Sequence, residues 1–94
     1  KDQSRYTKRA AVKDELMAYM AADNMSRVRS GAWSVADLTT LLDDPAVVAA
    51  NALMGTLSFE LAAAQISAAT TPLLTPEIKA EWVSRLEAHY YLEG

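Results

Sequence analysis

No residue of this sequence is a cysteine. That excludes a disulfide framework and any thiolate metal site, and it fits a reducing compartment. Glycine occurs only at positions 31, 55 and 94, so a glycine-rich phosphate loop cannot be built. No serine sits in the G-x-S-x-G pattern of a nucleophile elbow, and calcium-loop spacing is absent. A single histidine, His89, has Arg85, Leu86, Leu92 and Glu93 at helical i±3 and i±4 positions, which offers no local metal-binding pair. His89 is therefore expected to be a boundary residue of a helix. No catalytic, cofactor-binding or metal-ligating residue is expected, and the chain reads as a protein that is not an enzyme.

Charge is also scarce where it matters most. Between Asp43-Asp44 and Glu77 the only charged residue is Glu60. The length would suit a membrane span, but the content does not. Asn51, Glu60 and Gln65 lie inside it, and a central carboxylate costs about 2.5–3.5 kcal/mol even on permissive insertion scales. Neither flanking lysines nor an aromatic belt mark its ends. No membrane contact is expected, and the localisation that follows is cytoplasmic or virion. The chain starts at Lys1 rather than at a methionine, which is expected of a sequence lacking an N-terminal segment. No apolar run follows the charged start, so no signal peptide is expected.

What is present is helix punctuation. Ser34-Val35-Ala36-Asp37 is a capping box. Asp44-Pro45 puts a capping carboxylate before a proline at the first helical position. Thr75-Pro76-Glu77 repeats the device, with Glu77 at the favourable end of the helix dipole. Lasting alternation of apolar and polar residues is absent. The expected fold is all-α: a single small four-helix domain over 1–94, with helices at about 5–22, 34–43, 45–69 and 76–92 and a central alanine-rich helix. Residues 24–31 are expected to form a loop.

Helix one places Val12, Leu16, Tyr19 and Met20 on one face. Helix four carries the stripe Ile78, Trp82, Leu86, Tyr90, with Tyr91 pointing away from it. The central helix, projected at 100° per residue, has two apolar faces. Ala50, Leu53, Met54, Leu57 and Leu61 share one, and Val48, Phe59 and Ile66 lie nearly opposite. A 25-residue helix is about 37 Å long, and covering both sides of it with so short a chain is hard. Val48, Phe59, Ile66 and Tyr91 are therefore the candidate protein interface, and a homo-oligomer or an assembly with other protein subunits is expected.

The net charge of −3 conceals an asymmetry. Residues 1–31 carry seven basic and four acidic groups, net +3; residues 32–94 carry two basic and eight acidic groups, net −6. The two ends attract each other within one domain, join neighbouring copies, or offer the basic end to an anion. Arg5, Lys8 and Arg9 on helix one are the candidate anion contacts, to nucleic acid or an acidic partner.

In size, lack of cysteine, alanine content and surplus apolar face, the chain is similar to the small helical subunits that build phage particles, such as connector or neck rings. The resemblance covers no motif and carries over no functional residue. It implies a structural or adaptor protein; the alternative is a small regulatory domain that binds through helix one.

Overall fold

All three helix starts written in the sequence form. In the computed structural model the Ser34 side chain accepts from the Asp37 N–H at 3.0 Å while Asp37 Oδ2 accepts from the Ser34 N–H at 3.0 Å. Asp44 Oδ1 accepts from the Ala46 N–H at 3.0 Å, and Thr75 Oγ1 from the Ile78 N–H at 3.3 Å. Each contact satisfies an amide that the helix ladder leaves without a partner. The structure describes the backbone of residues 2–89 and the side chains of residues 8–89. Five helices result: α1 (Asp2–Arg29), α2 (Val35–Leu42), α3 (Pro45–Gly55), α4 (Phe59–Ala68) and α5 (Pro76–Glu87). There is no strand among the described residues. The fold is all-α, with five helices in place of the expected four.

The first departure is the length of α1, which runs to Arg29 and absorbs most of the expected 24–31 loop. Asn24, Ser26 and Val28 are indifferent helix formers, but burial of Asn24 and packing of Val28 hold the segment. Arg27 pairs with Asp23 one turn earlier. Arg27 and Arg29 also sit at the helix end where positive charge is favourable. The helix stops at Gly31, whose φ of 86° is left-handed and natural to glycine. The Gly31 N–H donates to the Val28 carbonyl at 3.1 Å. At 28 residues, α1 is about 42 Å long, so only the 45 Å axis of the 45 × 24 × 20 Å molecule accommodates it.

The second departure removes the central helix. It breaks at residues 56–58, and α4 folds back on α3. The Ser58 N–H donates to the Leu53 carbonyl at 2.8 Å and the Leu57 N–H to the Met54 carbonyl at 2.9 Å. That pair of bonds is a Schellman ending with Leu57 at the position glycine usually takes. Leu57 has φ 65°, which costs a non-glycine residue about 1–2 kcal/mol. Its side chain is 6% exposed, and burying a leucine contributes about 1.5–3 kcal/mol. Burial outweighs the strain, so the turn holds without a glycine. Gly55, two residues earlier, is the last residue of α3 and does not make the turn.

The break rewrites the expected faces. Phe59 and Ile66 are 0% and 2% exposed. They pack inside this chain and are not interface residues, because reversing α4 turns their side of it toward α3. Leu61, expected inside, is 56% exposed. Val48 stays open, and Tyr91 lies outside the described residues. Residues 45–69 form no continuous helix, so the surplus apolar face expected of one does not arise.

The core is drawn from all five helices. Phe59, Leu41, Met54 and Leu86 are its largest fully buried side chains. On α5 the stripe Ile78, Trp82, Leu86 is buried as expected; Tyr90 lies outside the described residues. On α1, Leu16 and Met20 are buried, with Val12 and Tyr19 packed against them. One polar knot fastens α1 to the rest. Trp82 Nε1 donates to Asp23 Oδ2 at 3.0 Å, Asp23 holds Arg27, and the Arg27 guanidinium lies over the Trp33 ring, 5.5 Å from its centroid. Among the described residues no helix is long and apolar enough to cross a membrane.

Candidate interaction site

Helical spacing puts Met17, Met20, Ala21 and Asn24 on one face of α1. Val47, Asn51 and Met54 line up in the same way on α3. Between these two walls, with Leu41 and Leu42 of α2 closing one side and Ile66 and Trp82 beneath, lies a groove of about 250 Å³. Its floor is buried and apolar at Leu41 and Met54, both 0% exposed. Its lips are open, with Met17 36% and Leu42 45% exposed. No lining residue carries a charge. Three methionines among them make the surface adaptable, since an unbranched thioether chain fills irregular gaps.

The polar groups at the groove are two amides. Asn24 is 8% exposed and its Oδ1 is buried without a hydrogen-bond partner. A buried acceptor left unpaired costs about 1–3 kcal/mol. Asn51, on the other wall, is exposed. The Trp82 indole N–H is not available to Asn24, because Asp23 holds it.

A second cleft, of about 380 Å³, runs between α1 and α5 and is lined by Glu15, Leu16, Tyr19, Arg85, Ala88 and His89. The Tyr19 hydroxyl donates to Glu81 Oε2 at 2.7 Å, and Arg85 stacks on the Tyr19 ring at 3.6 Å from its centroid. The Glu81 carboxylate, aided by partial burial, holds the Tyr19 phenol above the usual tyrosine range. His89 is half-buried, with Nδ1 buried and unpartnered, and no serine or threonine lines the cleft with it. Among the described residues no group of three or more His, Cys, Asp or Glu side chains is placed to hold a metal ion.

The residues singled out from sequence are scattered by the fold. Val48 is on the surface of α3, apart from the buried Phe59 and Ile66, although Ile66 contributes to the groove floor. Lys8 is exposed and Arg9 half-buried with its Nε unpartnered; the Arg5 side chain lies outside the described residues. Asn51 on α3 and Gln65 on α4 are separated by the α3–α4 turn. The groove residues Met17, Asn24, Leu42 and Asn51 were not recognised as a set. Met17 sits three residues before Met20, so the helix-one face could have revealed it. Asn24 was hidden by its assignment to a loop, and the opposite wall depends on a turn that the sequence does not mark.

No protein-family model, curated protein or solved structure matches this chain.

Proposed function

We propose that this chain is a non-enzymatic structural or adaptor protein whose groove between α1 and α3 receives an apolar surface of a protein subunit. One observation carries the reading: the groove has a buried, mostly apolar floor, open methionine and leucine lips and no charged lining residue. An uncharged site of this kind gains affinity by burying apolar surface and has little to offer a charged substrate. Its polar groups are amides, which neither give up nor take a proton at ordinary pH, so they supply no acid–base chemistry. The similarity to small phage-particle subunits adds a setting, as a connector- or neck-type subunit in the cytoplasm or the virion.

The test uses Nile red, a neutral apolar dye, added to dilute protein. Fluorescence enhancement is expected to saturate at one dye per chain. Met17→Lys and Leu42→Lys, both on the open lips, are expected to weaken uptake by about tenfold each, or 1.4 kcal/mol. Leu61→Lys, outside the groove, leaves it unchanged. Equal uptake by all three variants counts against the groove as a docking surface.

A second reading is a small regulatory domain that binds nucleic acid or an acidic partner through the start of α1. In its favour, residues 8–15 include no buried side chain, and Lys8, Arg9 and Lys13 fall among them. That reading requires affinity for duplex DNA that drops as salt rises and weakens further in Arg5→Ala and Arg9→Ala.

A further inference from the structure

One cooperative unit is the norm for a chain this short, but the core here is divided unequally. α1 is the longest helix, yet of its side chains from residue 8 onward only Leu16, Met20 and Asn24 are buried. α4, with ten residues, buries Phe59, Ala62, Ala63 and Ile66. α3 and α5 bury three residues each in eleven and twelve. We infer that α1 is a releasable strap: it undocks as a unit while α3–α5 stay packed, and the Asp23 knot is the latch that holds it down. The inference is independent of what the groove receives.

Elements held by few buried apolar contacts open first. α1 meets the rest along a single line of positions, 16, 20 and 24, on one face of the helix. Val12, Tyr19 and Val28 pack against the core only in part. The last position of the line works against docking. Asn24 Oδ1 is buried without a partner, and undocking returns it to water, which removes the cost of an unpaired acceptor. The polar hold is concentrated at one place. Asp23 accepts from Trp82 Nε1 at 3.0 Å and pairs with Arg27, whose guanidinium lies over Trp33. The Asp23 and Arg27 side chains are 22% and 25% exposed, so water reaches the knot and replaces its bonds when α1 lifts away. The Tyr19–Glu81 bond also joins α1 to α5, but it is exposed and solvent competes for both groups. Because α1 is one wall of the groove, its release uncovers the floor at Leu41, Met54 and Trp82 from that side.

Amide hydrogen exchange on the whole chain, followed by NMR under conditions where rates report opening equilibria, provides the test. Amides at positions 16–24 of α1 are expected to share one protection level, at least about tenfold below that of positions 62–66 of α4. Two variants separate a strap from a single cooperative unit. Thr75→Ala removes the exposed cap of α5 and is expected to lower protection in α4 about fivefold. It leaves α1 unchanged, because α5 is folded both before and after α1 opens. Asp23→Ala is expected to lower protection in both helices about tenfold, since both openings start from the latched state. Alanine is the better helix former, so that loss reports the knot and not the helix. Equal protection in α1 and α4, with Thr75→Ala lowering both, makes the chain one unit and overturns the inference. Protection that falls steadily toward one end of positions 16–24 means fraying and overturns it too. An α1 that does not respond to Asp23→Ala has no latch there, and the inference falls with it.

Discussion

Two helices of this molecule end in the same left-handed backbone, and they end on different residues. Beyond its last residue α1 is closed by Gly31, with φ 86°, and α3 by Leu57, with φ 65°. At Gly31 the turn is a local property of the chain. A Cβ added there meets nothing within 4 Å, so glycine is needed only for the backbone angle. At Leu57 the local preference opposes the turn, and the side chain compensates by entering the core. The first ending would be read correctly in a peptide. The second exists only because α3, α4 and the rest of the core are there to receive a leucine.

Substitutions at these ends break or sharpen the contrast. The largest effect is expected from Leu57→Ala, which removes the buried side chain but keeps the strained angle. Chemical denaturation should show a loss of about 2–5 kcal/mol, and a near-neutral result would mean that the leucine is not what holds the turn. Gly31→Ala has open space around it and only the backbone penalty to bear, so about 1–2 kcal/mol is expected in the same measurement. A loss as large as that of Leu57→Ala would erase the distinction between the two endings. Ser34→Ala, just beyond the Gly31 turn, removes one member of the capping box and should lower the thermal midpoint by the equivalent of about 1 kcal/mol. The smallest and most diagnostic difference is between two variants at one site. Leu57→Gly should be more stable than Leu57→Ala by about 1 kcal/mol, because glycine relieves the left-handed angle. In a continuous helix the order would be reversed by about the same amount, so the sign alone reports whether α3 and α4 are separate helices.

The same contrast explains which parts of the fold were legible. The starts of α2, α3 and α5 depend on side chains two or three residues from the amides they satisfy, and so they can be read from a few letters. The α5 stripe Ile78, Trp82, Leu86 is legible because one face of one helix meets one core. The extension of α1 was not, since Asn24 and Val28 remain helical through contacts with distant residues and the Asp23–Trp82 bond spans 59 positions. The groove follows from both misread segments. One wall needs α1 to run past residue 22 so that Asn24 joins Met17, Met20 and Ala21, and the other needs α3 to end at Gly55 with α4 folded beneath it. No residue of the groove announces that arrangement in the linear order.

By itself the sequence determined an all-α chain, three helix starts, the buried face of α5 and that no helix among the described residues is long and apolar enough to cross a membrane. These rest on periodicity, capping chemistry and charge, all of which act over one or two turns of helix. Only the tertiary structure decided where the apolar stretch from Pro45 to Ala68 bends, which of its faces lies inside, and that Asn24 and Asn51 meet at one groove. The reason is energetic. A left-handed leucine is outweighed only once its side chain is buried, so the turn is settled by the core that receives it and not by the residues that make it.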